Sequence, residues 1–432
     1  MKKTIFIPIL FLIILNMSLL NCSDDGSDSD TQMPPGSLDT SFGNGGIVTT
    51  PIGTGDDSTY AIAIQSDGKI VVAGFANLSS NNDFALARYN YDGSLDTNFG
   101  TGGKVTTNFS SNADFGQAIA IDTYGRIVVA GYCNSSDLDF ALARYYSNGS
   151  LDSSFGTNGI VKTNFGSGGD TARAVVIDAY GRIVAAGDAF MGSNNDFAFA
   201  RYYSNGSLDI GFGNNGKLTT TIGSGHDSAR AIAIDSNGRI VVAGYANNGT
   251  NYDFALARYY SNGSLDSTFG NGGKIMTPIG SSDDYAYAIA IDSYDRIVVA
   301  GYAKIGSYSD FALARYYPDG GLDTSFGTDG KVTTPIGSSD DTAYAIGIDA
   351  NGRIVVAGYV YNGSNYDFAL ARYNPDGTLD TTFGNGGIVT TDFGVGDDQA
   401  FCLAIDANGK IVVAGKARNG SNMDFALARY NP

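Results

Sequence analysis

Apolar and polar positions alternate along this chain in short runs with period two, which is the side-chain pattern of β-strands. Between residues 217 and 259 four such runs follow one another: Lys217 to Thr220, Ala231 to Asp235, Arg239 to Gly244, and Phe254 to Tyr259. Ser-Asn-Gly before the third run is typical of a tight turn whose glycine takes positive φ. No segment keeps the helical period of about 3.6 residues, so the sequence predicts an all-β protein.

The same unit recurs along nearly the whole chain, and its Leu-Asp pair returns every 56 or 57 residues. Seven copies of this pair begin at Leu38, Leu95, Leu151, Leu208, Leu265, Leu322 and Leu379. A fixed period of this length indicates supersecondary units that stack on their neighbours. Residues 38–432 are therefore expected to form one array of seven repeats.

The strands have one bulky and one small face, which favours a closed ring of sheets. Ile232 and Ile234 share one face, whereas Ala231 and Ala233 share the other. Bulky faces can pack onto the small faces of the next identical sheet, as in blades around an axis. The sequence thus predicts a seven-bladed β-propeller of four-stranded antiparallel blades. With 231–235 innermost and 217–220 outermost, the first strand, 47–50, would complete the last blade.

Three motifs of the repeat resemble those of a known family. They are Leu-Asp-x-x-Phe-Gly-x-x-Gly, Asp-x-x-Gly-[Lys/Arg]-Ile-Val-Val-Ala-Gly, and Asp-Phe-Ala-Leu-Ala-Arg-Tyr. Together they resemble the delta-60 repeat family of bacterial envelope and secreted proteins. The resemblance implies a β-propeller-like fold, and it brings neither an established activity nor catalytic residues.

The N-terminal segment has the pattern of an export signal. Lys2 and Lys3 precede an apolar run, and Cys22 follows directly in Leu-Leu-Asn-Cys. This sequence resembles the lipobox of bacterial lipoproteins, although asparagine before the cysteine departs from the usual small residue. We expect a signal peptide over residues 1–21, an acylated Cys22, and a flexible acidic tether to residue 37. The alternative is an ordinary secretory signal with an incidental cysteine.

The formal net charge of -18 excludes most nucleic-acid partners, because such a surface repels phosphate. The expected location is the bacterial cell envelope, with a lipid anchor at the outer membrane, and the expected state is a monomer. The partner of the folded domain is predicted to be a protein or a glycan.

Recurrent arginines and aspartates predict structural ion pairs, since a buried guanidinium needs a carboxylate. The arginines lie late in the fourth run of each repeat, at Arg88, Arg144, Arg201, Arg258, Arg315, Arg372 and Arg429. The aspartates lie beyond the next turn, at Asp96, Asp152, Asp209, Asp266, Asp323 and Asp380, with Asp39 in the first copy.

A second set of aspartates stands just before each predicted innermost strand. Its members are Asp57, Asp114, Asp170, Asp227, Asp284, Asp341 and Asp398. On the predicted phasing they gather at one mouth of the channel, where oxygen ligands on turns would suit Ca²⁺ or another ligand. The alternative is that each aspartate caps its own turn.

The residues disfavour the common catalytic sites. His226 is the only histidine, and it stands where other copies have Asp56 or Asp283, so a Ser-His-Asp triad or a zinc site is not indicated. The acids recur with the repeat. We therefore predict no enzymatic activity and no catalytic residue, and interpret the chain as a non-catalytic binding scaffold. The alternatives are a carbohydrate-active hydrolase and a purely structural envelope lipoprotein.

Overall fold

The computed structural model describes residues 33–78 and 81–432. The predicted signal peptide, Cys22 and most of the tether lie outside the described residues. None of the described residues belongs to a helix with the length and hydrophobicity that a membrane span requires.

The described chain forms seven four-stranded antiparallel sheets, each paired in the order innermost, second, third and outermost strand. Strand β1 (Ile47–Thr50) comes first in the chain. Blades 1 and 2 contain β2 (Asp57–Ile64), β3 (Ile70–Asn77), β4 (Asn82–Tyr89), β5 (Lys104–Thr107), β6 (Asp114–Ile121), β7 (Ile127–Asn134), β8 (Leu138–Tyr145) and β9 (Ile160–Thr163). Blades 3 and 4 contain β10 (Asp170–Ile177), β11 (Ile183–Phe190), β12 (Asn195–Tyr202), β13 (Lys217–Thr220), β14 (Asp227–Ile234), β15 (Ile240–Asn247), β16 (Tyr252–Tyr259) and β17 (Lys274–Thr277). Blades 5 and 6 contain β18 (Asp284–Ile291), β19 (Ile297–Ile305), β20 (Tyr308–Tyr316), β21 (Lys331–Thr334), β22 (Asp341–Ile348), β23 (Ile354–Tyr361), β24 (Tyr366–Tyr373) and β25 (Ile388–Thr391). Blade 7 contains β26 (Asp398–Ile405), β27 (Ile411–Asn419), β28 (Asn422–Tyr430) and β1.

The ring closes as predicted, because β1 pairs with β28 and so completes the last blade. The innermost strands of neighbouring blades contact one another around the axis, including β2 with β26 across the closure. Pairing with β1 covers the edge that β28 would otherwise expose. The predicted innermost strand is too short by four residues at its start, since β14 begins at Asp227 rather than Ala231.

The core lies between the blades, where bulky side chains nest against small ones. Phe254 and Leu256 of blade 4 share one apolar cluster with Ala312 and Ala314 of blade 5. At the closure, Phe425 and Leu427 pack in the same way against the alanines of β4. The size difference between the two faces of each strand therefore allows neighbouring blades to pack closely.

The two faces of the ring have different connections. On one face, the turn face, tight turns join innermost to second strands, and Asp295 takes φ 57° where the other blades have glycine. The opposite loop face carries the loops between second and third strands and those that enter each innermost strand. Cys133 and Cys402 are both buried and unpaired.

Each predicted arginine meets its aspartate on the turn face. The Nε–Oδ2 distance is 2.9 Å for Arg258 and Asp266, and 2.9 Å for Arg429 and Asp39, which lie at opposite ends of the chain. The other pairs have distances of 2.8 to 2.9 Å between Arg88 and Asp96, Arg144 and Asp152, Arg201 and Asp209, Arg315 and Asp323, and Arg372 and Asp380. Arg429 also donates to the carbonyl oxygen of Tyr91 in blade 1, so the last pair joins both sides of the closure.

We predict that Asp39→Ala destabilises the ring by about 3 kcal/mol, because it leaves the buried Arg429 guanidinium without its carboxylate. Asp266→Ala removes the equivalent carboxylate inside the chain and should have a similar effect. Urea unfolding followed by circular dichroism measures both. Asp67→Ala, at an exposed turn, is the control and should change little; an Asp39→Ala protein as stable as this control would contradict the prediction.

Candidate functional site

A β-bulge in every innermost strand turns one side chain out of the sheet and into the central channel. In β14, Ala229 pairs with Gly244 and Ala231 with Ala243, so Arg230 has no partner in the ladder. A Cβ atom on Gly244 would lie 2.0 Å from the carbonyl oxygen of Ser228. Only glycine allows this close approach, so the glycine that ends the Val-Ala-Gly motif makes the bulge possible.

The seven bulge residues form a ring that lines the channel, which we call the channel ring. It consists of Tyr60, Gln117, Arg173, Arg230, Tyr287, Tyr344 and Phe401, around a cavity of about 230 Å³. Neighbouring members contact each other: the ring centroids of Tyr344 and Phe401 lie 5.3 Å apart, and Arg173 Nη1 donates to Gln117 Oε1 at 3.3 Å. The residue type at this position differs from blade to blade, whereas the core positions are nearly the same in every blade.

A second set of side chains from the second strands surrounds the channel ring, and we call it the outer ring. It consists of Phe75, Tyr132, Asp188, Tyr245, Tyr302, Tyr359 and Lys416. These residues pair with the strand positions two before each bulge, as Tyr245 does with Ser228, and so lie toward the loop face. The two rings together form the funnel.

Two guanidinium groups dominate the charge of the funnel. Arg230 Nη2 donates to the Tyr245 hydroxyl at 2.6 Å, and its guanidinium lies over the Tyr287 ring. Arg173 Nε lies 3.8 Å from Asp188 Oδ1. The Nε atoms of both arginines are buried and have no hydrogen-bond partner among the described residues. Both side chains are only half-buried, so an anion in the channel can reach the exposed part of each guanidinium group.

Asp188 and Lys416 each occur once in the two rings. Asp188 Oδ1 accepts a hydrogen bond from the Ser228 hydroxyl at 2.8 Å, and its Oδ2 accepts one from Asn195 at 3.0 Å. Burial lowers the pKa of Lys416, against the opposing field of Asp56 and Asp397. The funnel therefore holds three cationic side chains and one carboxylate, whereas the chain as a whole is acidic.

Aromatic rings cover most of the funnel, from blade 4 through blade 7 to blades 1 and 2, where Tyr60 and Phe401 have centroids 5.1 Å apart. Tyr245 and Tyr285 have centroids 4.8 Å apart, and Tyr287 and Tyr344 have centroids 4.6 Å apart. Tyr359 continues the series to Tyr366 on the loop face, at 5.1 Å. Burial raises the pKa of Tyr287, and the neighbouring Arg230 acts against that rise.

The predicted ring of aspartates lies at the loop face but does not line the channel. Asp57, for example, is fully buried, and its Oδ2 accepts the backbone N–H groups of Ile52 at 2.7 Å and Gly53 at 2.9 Å. Each of the other members also accepts an N–H from its own loop, namely Asp114, Asp170, Asp227, Asp284, Asp341 and Asp398. The structure thus shows these side chains holding their loops, and the channel-facing residue comes three positions later.

His226 takes the place of an aspartate on the loop face. Its Nδ1 accepts the backbone N–H of Asn195 in the preceding blade at 3.1 Å. Asp283 accepts the N–H of Tyr252 in the same way at 3.0 Å. The histidine therefore links two blades.

Sequence reasoning missed the funnel, because it placed the start of each innermost strand after the bulge. The sequence nevertheless contains one signal of the channel-lining position. The position three after each loop aspartate carries a large side chain in every repeat and yet differs between repeats, in strands that are otherwise nearly identical.

A family model described as a domain of unknown function, DUF5122, with a β-propeller fold, matches seven segments: residues 65–99, 125–155, 181–212, 236–269, 295–326, 350–383 and 407–432. No curated protein matches the chain in sequence. Solved structures with similar folds include a catalytically inactive variant of virginiamycin B lyase from Staphylococcus aureus with quinupristin, at 12% identity and TM-score 0.53, covering 88% of this chain and 98% of that one. They also include the polysaccharide lyase PL25 ulvan lyase bound to -[GlcA(1-4)Rha3S]-, at 13% identity and TM-score 0.50, covering 88% and 95%.

These similarities correct the prediction that the protein is not an enzyme. That prediction was wrong because it relied on acids that recur in every blade of a propeller. The same fold serves two lyases, and the funnel of this chain is not sevenfold, since Asp188 and Lys416 stand alone in it.

The loop aspartates should make stability fall as the pH rises. Burial raises the pKa of Asp341 from 3.8 to about 6, so the folded state holds a proton that the unfolded chain has released between these values. This carboxyl group therefore contributes its full stabilisation below about pH 4 and loses it as the pH rises through about 6. Asp341→Asn should flatten part of this decline in urea unfolding, and the exposed Asp319→Asn should not. An unchanged slope in Asp341→Asn would contradict the assignment.

Proposed function

This chain belongs to the β-propeller family described as DUF5122, a domain of unknown function, and we propose that it is a carbohydrate-active protein that binds an acidic polysaccharide in its funnel and cleaves it. The observation that carries the proposal is the pair of half-buried arginines, Arg173 and Arg230, that line the channel cavity. The folds of the similar lyases support this function.

The charge of the funnel favours an anionic substrate. Arg173, Arg230 and Lys416 outnumber Asp188, and the guanidinium groups can form paired hydrogen bonds with a carboxylate or sulfate. Because the surrounding surface is acidic, this positive charge is confined to the channel. A sugar unit that carries an acid group would therefore be held with that group at the arginines.

The aromatic side of the funnel favours a sugar chain over a small ion. Tyr285, Tyr302 and Tyr344 offer flat apolar faces next to hydroxyl groups. Pockets that bind organic ligands combine such faces with a few directed polar groups. Successive sugar units could pack along this side while one acid group occupies the channel.

Elimination fits the funnel better than hydrolysis. Glycoside hydrolysis generally uses two carboxyl groups, whereas the two rings contain one, Asp188, which Ser228 and Asn195 already bind. In an elimination, Arg230 would neutralise the substrate carboxylate and stabilise Tyr245 as the phenolate, whose oxygen would take the proton from the carbon next to that carboxylate. The freed electron pair would form a carbon–carbon double bond as the bond to the glycosidic oxygen breaks, and Tyr245 would pass the same proton to that leaving oxygen.

Arg230→Met should lower kcat/KM on a uronate-containing polysaccharide by about 100-fold, since it removes a charged donor from the reacting group. The ultraviolet absorbance of the unsaturated product measures the reaction. Arg239→Met, in the same blade but on the turn face, is the matched control and should retain activity. Binding of the polysaccharide without a new ultraviolet chromophore would contradict the elimination mechanism. Equal activity on a neutral polysaccharide would contradict the proposal of an acidic substrate.

We further propose that Cys22 is acylated and tethers the propeller to the bacterial envelope. The support is the charged and apolar leader directly before this cysteine. Metabolic labelling with a fatty acid should mark the wild-type protein and leave Cys22→Ala unmarked. An unlabelled wild-type protein would contradict the anchor, with no bearing on the funnel.

A further inference from the structure

Three aspartates meet on the loop face where blade 6 adjoins blade 7. Asp367 lies in β24, Asp392 follows β25, and Asp398 begins β26. One carboxylate oxygen from each lies within 4.8 Å of the other two. Among the described residues this is the one acidic group with such close spacing.

Three other blades place a hydrogen-bond donor where blade 6 has Asp392, namely Asn108, Asn164 and Thr221, and the remaining three have proline there. Asn108 Nδ2 donates to Asp83 Oδ1 at 3.1 Å, and Asn164 Nδ2 donates to Asp139 Oδ1 at 2.9 Å. An ionised Asp392 can only accept hydrogen bonds. The substitution thus exchanges a satisfied contact for a third negative charge.

The buried Asp367 carboxylate is left incomplete by this exchange. Asp367 is 8% exposed, and its Oδ1 is buried with no hydrogen-bond partner among the described residues. The equivalent Oδ1 atoms of Asp83 and Asp139 take the donor from the position of Asp392, so Oδ1 of Asp367 faces into the cluster. Its Oδ2 is occupied by Asn362 at 2.8 Å.

A cation that approaches the same position in other blades is also missing here. Lys217 Nζ donates to the carbonyl oxygen of Asn164 at 2.9 Å, and Lys104 Nζ donates to that of Pro51 at 2.6 Å. The residue in blade 7 that corresponds to these lysines is Ile47. Blade 6 therefore gains a carboxylate where its neighbour lacks the lysine.

We propose that Asp367, Asp392 and Asp398 bind a divalent cation of the Ca²⁺ type. Three carboxylates provide hard oxygen ligands on short loops, and Asp392 is exposed, so water can complete the coordination. Of the seven loop aspartates, only Asp398 takes part, because only its blade junction has the other two groups.

The test is calcium titration of the full chain after chelation, by isothermal calorimetry with equilibrium dialysis as a check on stoichiometry. The wild-type protein should bind one Ca²⁺. Asp392→Asn restores the amide found at Asn108 and Asn164, so it should weaken binding by about tenfold or more while keeping or raising the Tm in chelator. That Tm separates loss of the site from loss of the fold.

Asp340→Asn is the matched control, since this loop aspartate lies one blade earlier and accepts the N–H of Ser309 at 2.8 Å. It should bind Ca²⁺ like the wild-type protein. No binding by the wild-type protein, or equal binding by Asp392→Asn, would overturn the proposal. Polysaccharide cleavage is measured separately, so neither result depends on the function of the funnel.

Discussion

The buried arginine near the end of each third strand is the contact on which the closed ring depends. In blade 1, Arg88 donates to Asp96 across the turn, lies over the Phe99 ring, and donates to the carbonyl oxygen of Ser147 in the next blade. A buried guanidinium is tolerated only with such partners. In six of the seven blades one of these partners belongs to the neighbouring blade, so the arginine is fully satisfied only when the next blade is in place. Arg372 of blade 6 is the exception, since its Nη1 and Nη2 have no hydrogen-bond partner among the described residues. Blade folding and ring closure are coupled by the same side chain.

The architecture was predictable because its determinants recur. The local geometry of the strands follows from the period-two alternation of apolar and polar residues, from the Gly-containing turns, and from the alternation of Ile232 with Ala233. All seven copies show the same pattern. Strand phase then predicted the pairing of β1 with β28. The bulge was missed because it depends on the register between two strands. A run such as Ala-Arg-Ala-Ile does not reveal that Arg230 leaves the ladder, whereas Gly244 on the adjacent strand does.

The two faces differ in how closely they follow the repeat. The turn face repeats its ion pairs because each copy makes the same connection to its neighbour. The funnel does not repeat, since Asp188 and Lys416 have no counterpart in other blades. The recurrent aspartates, from which the function was interpreted, are the residues that hold the loops. The single residues on the channel and in the blade 6 junction carry the distinctive chemistry.

The bulge also separates recognition from folding. The side chain at that position makes no ladder contact of its own, so tyrosine, glutamine, arginine and phenylalanine all occur there within the same sheet geometry. After duplication of an ancestral unit, each copy could therefore diverge at this one position without disturbing the packing between copies. A ring of identical modules can in this way acquire an unsymmetrical interior, and selection can adjust ligand preference one module at a time.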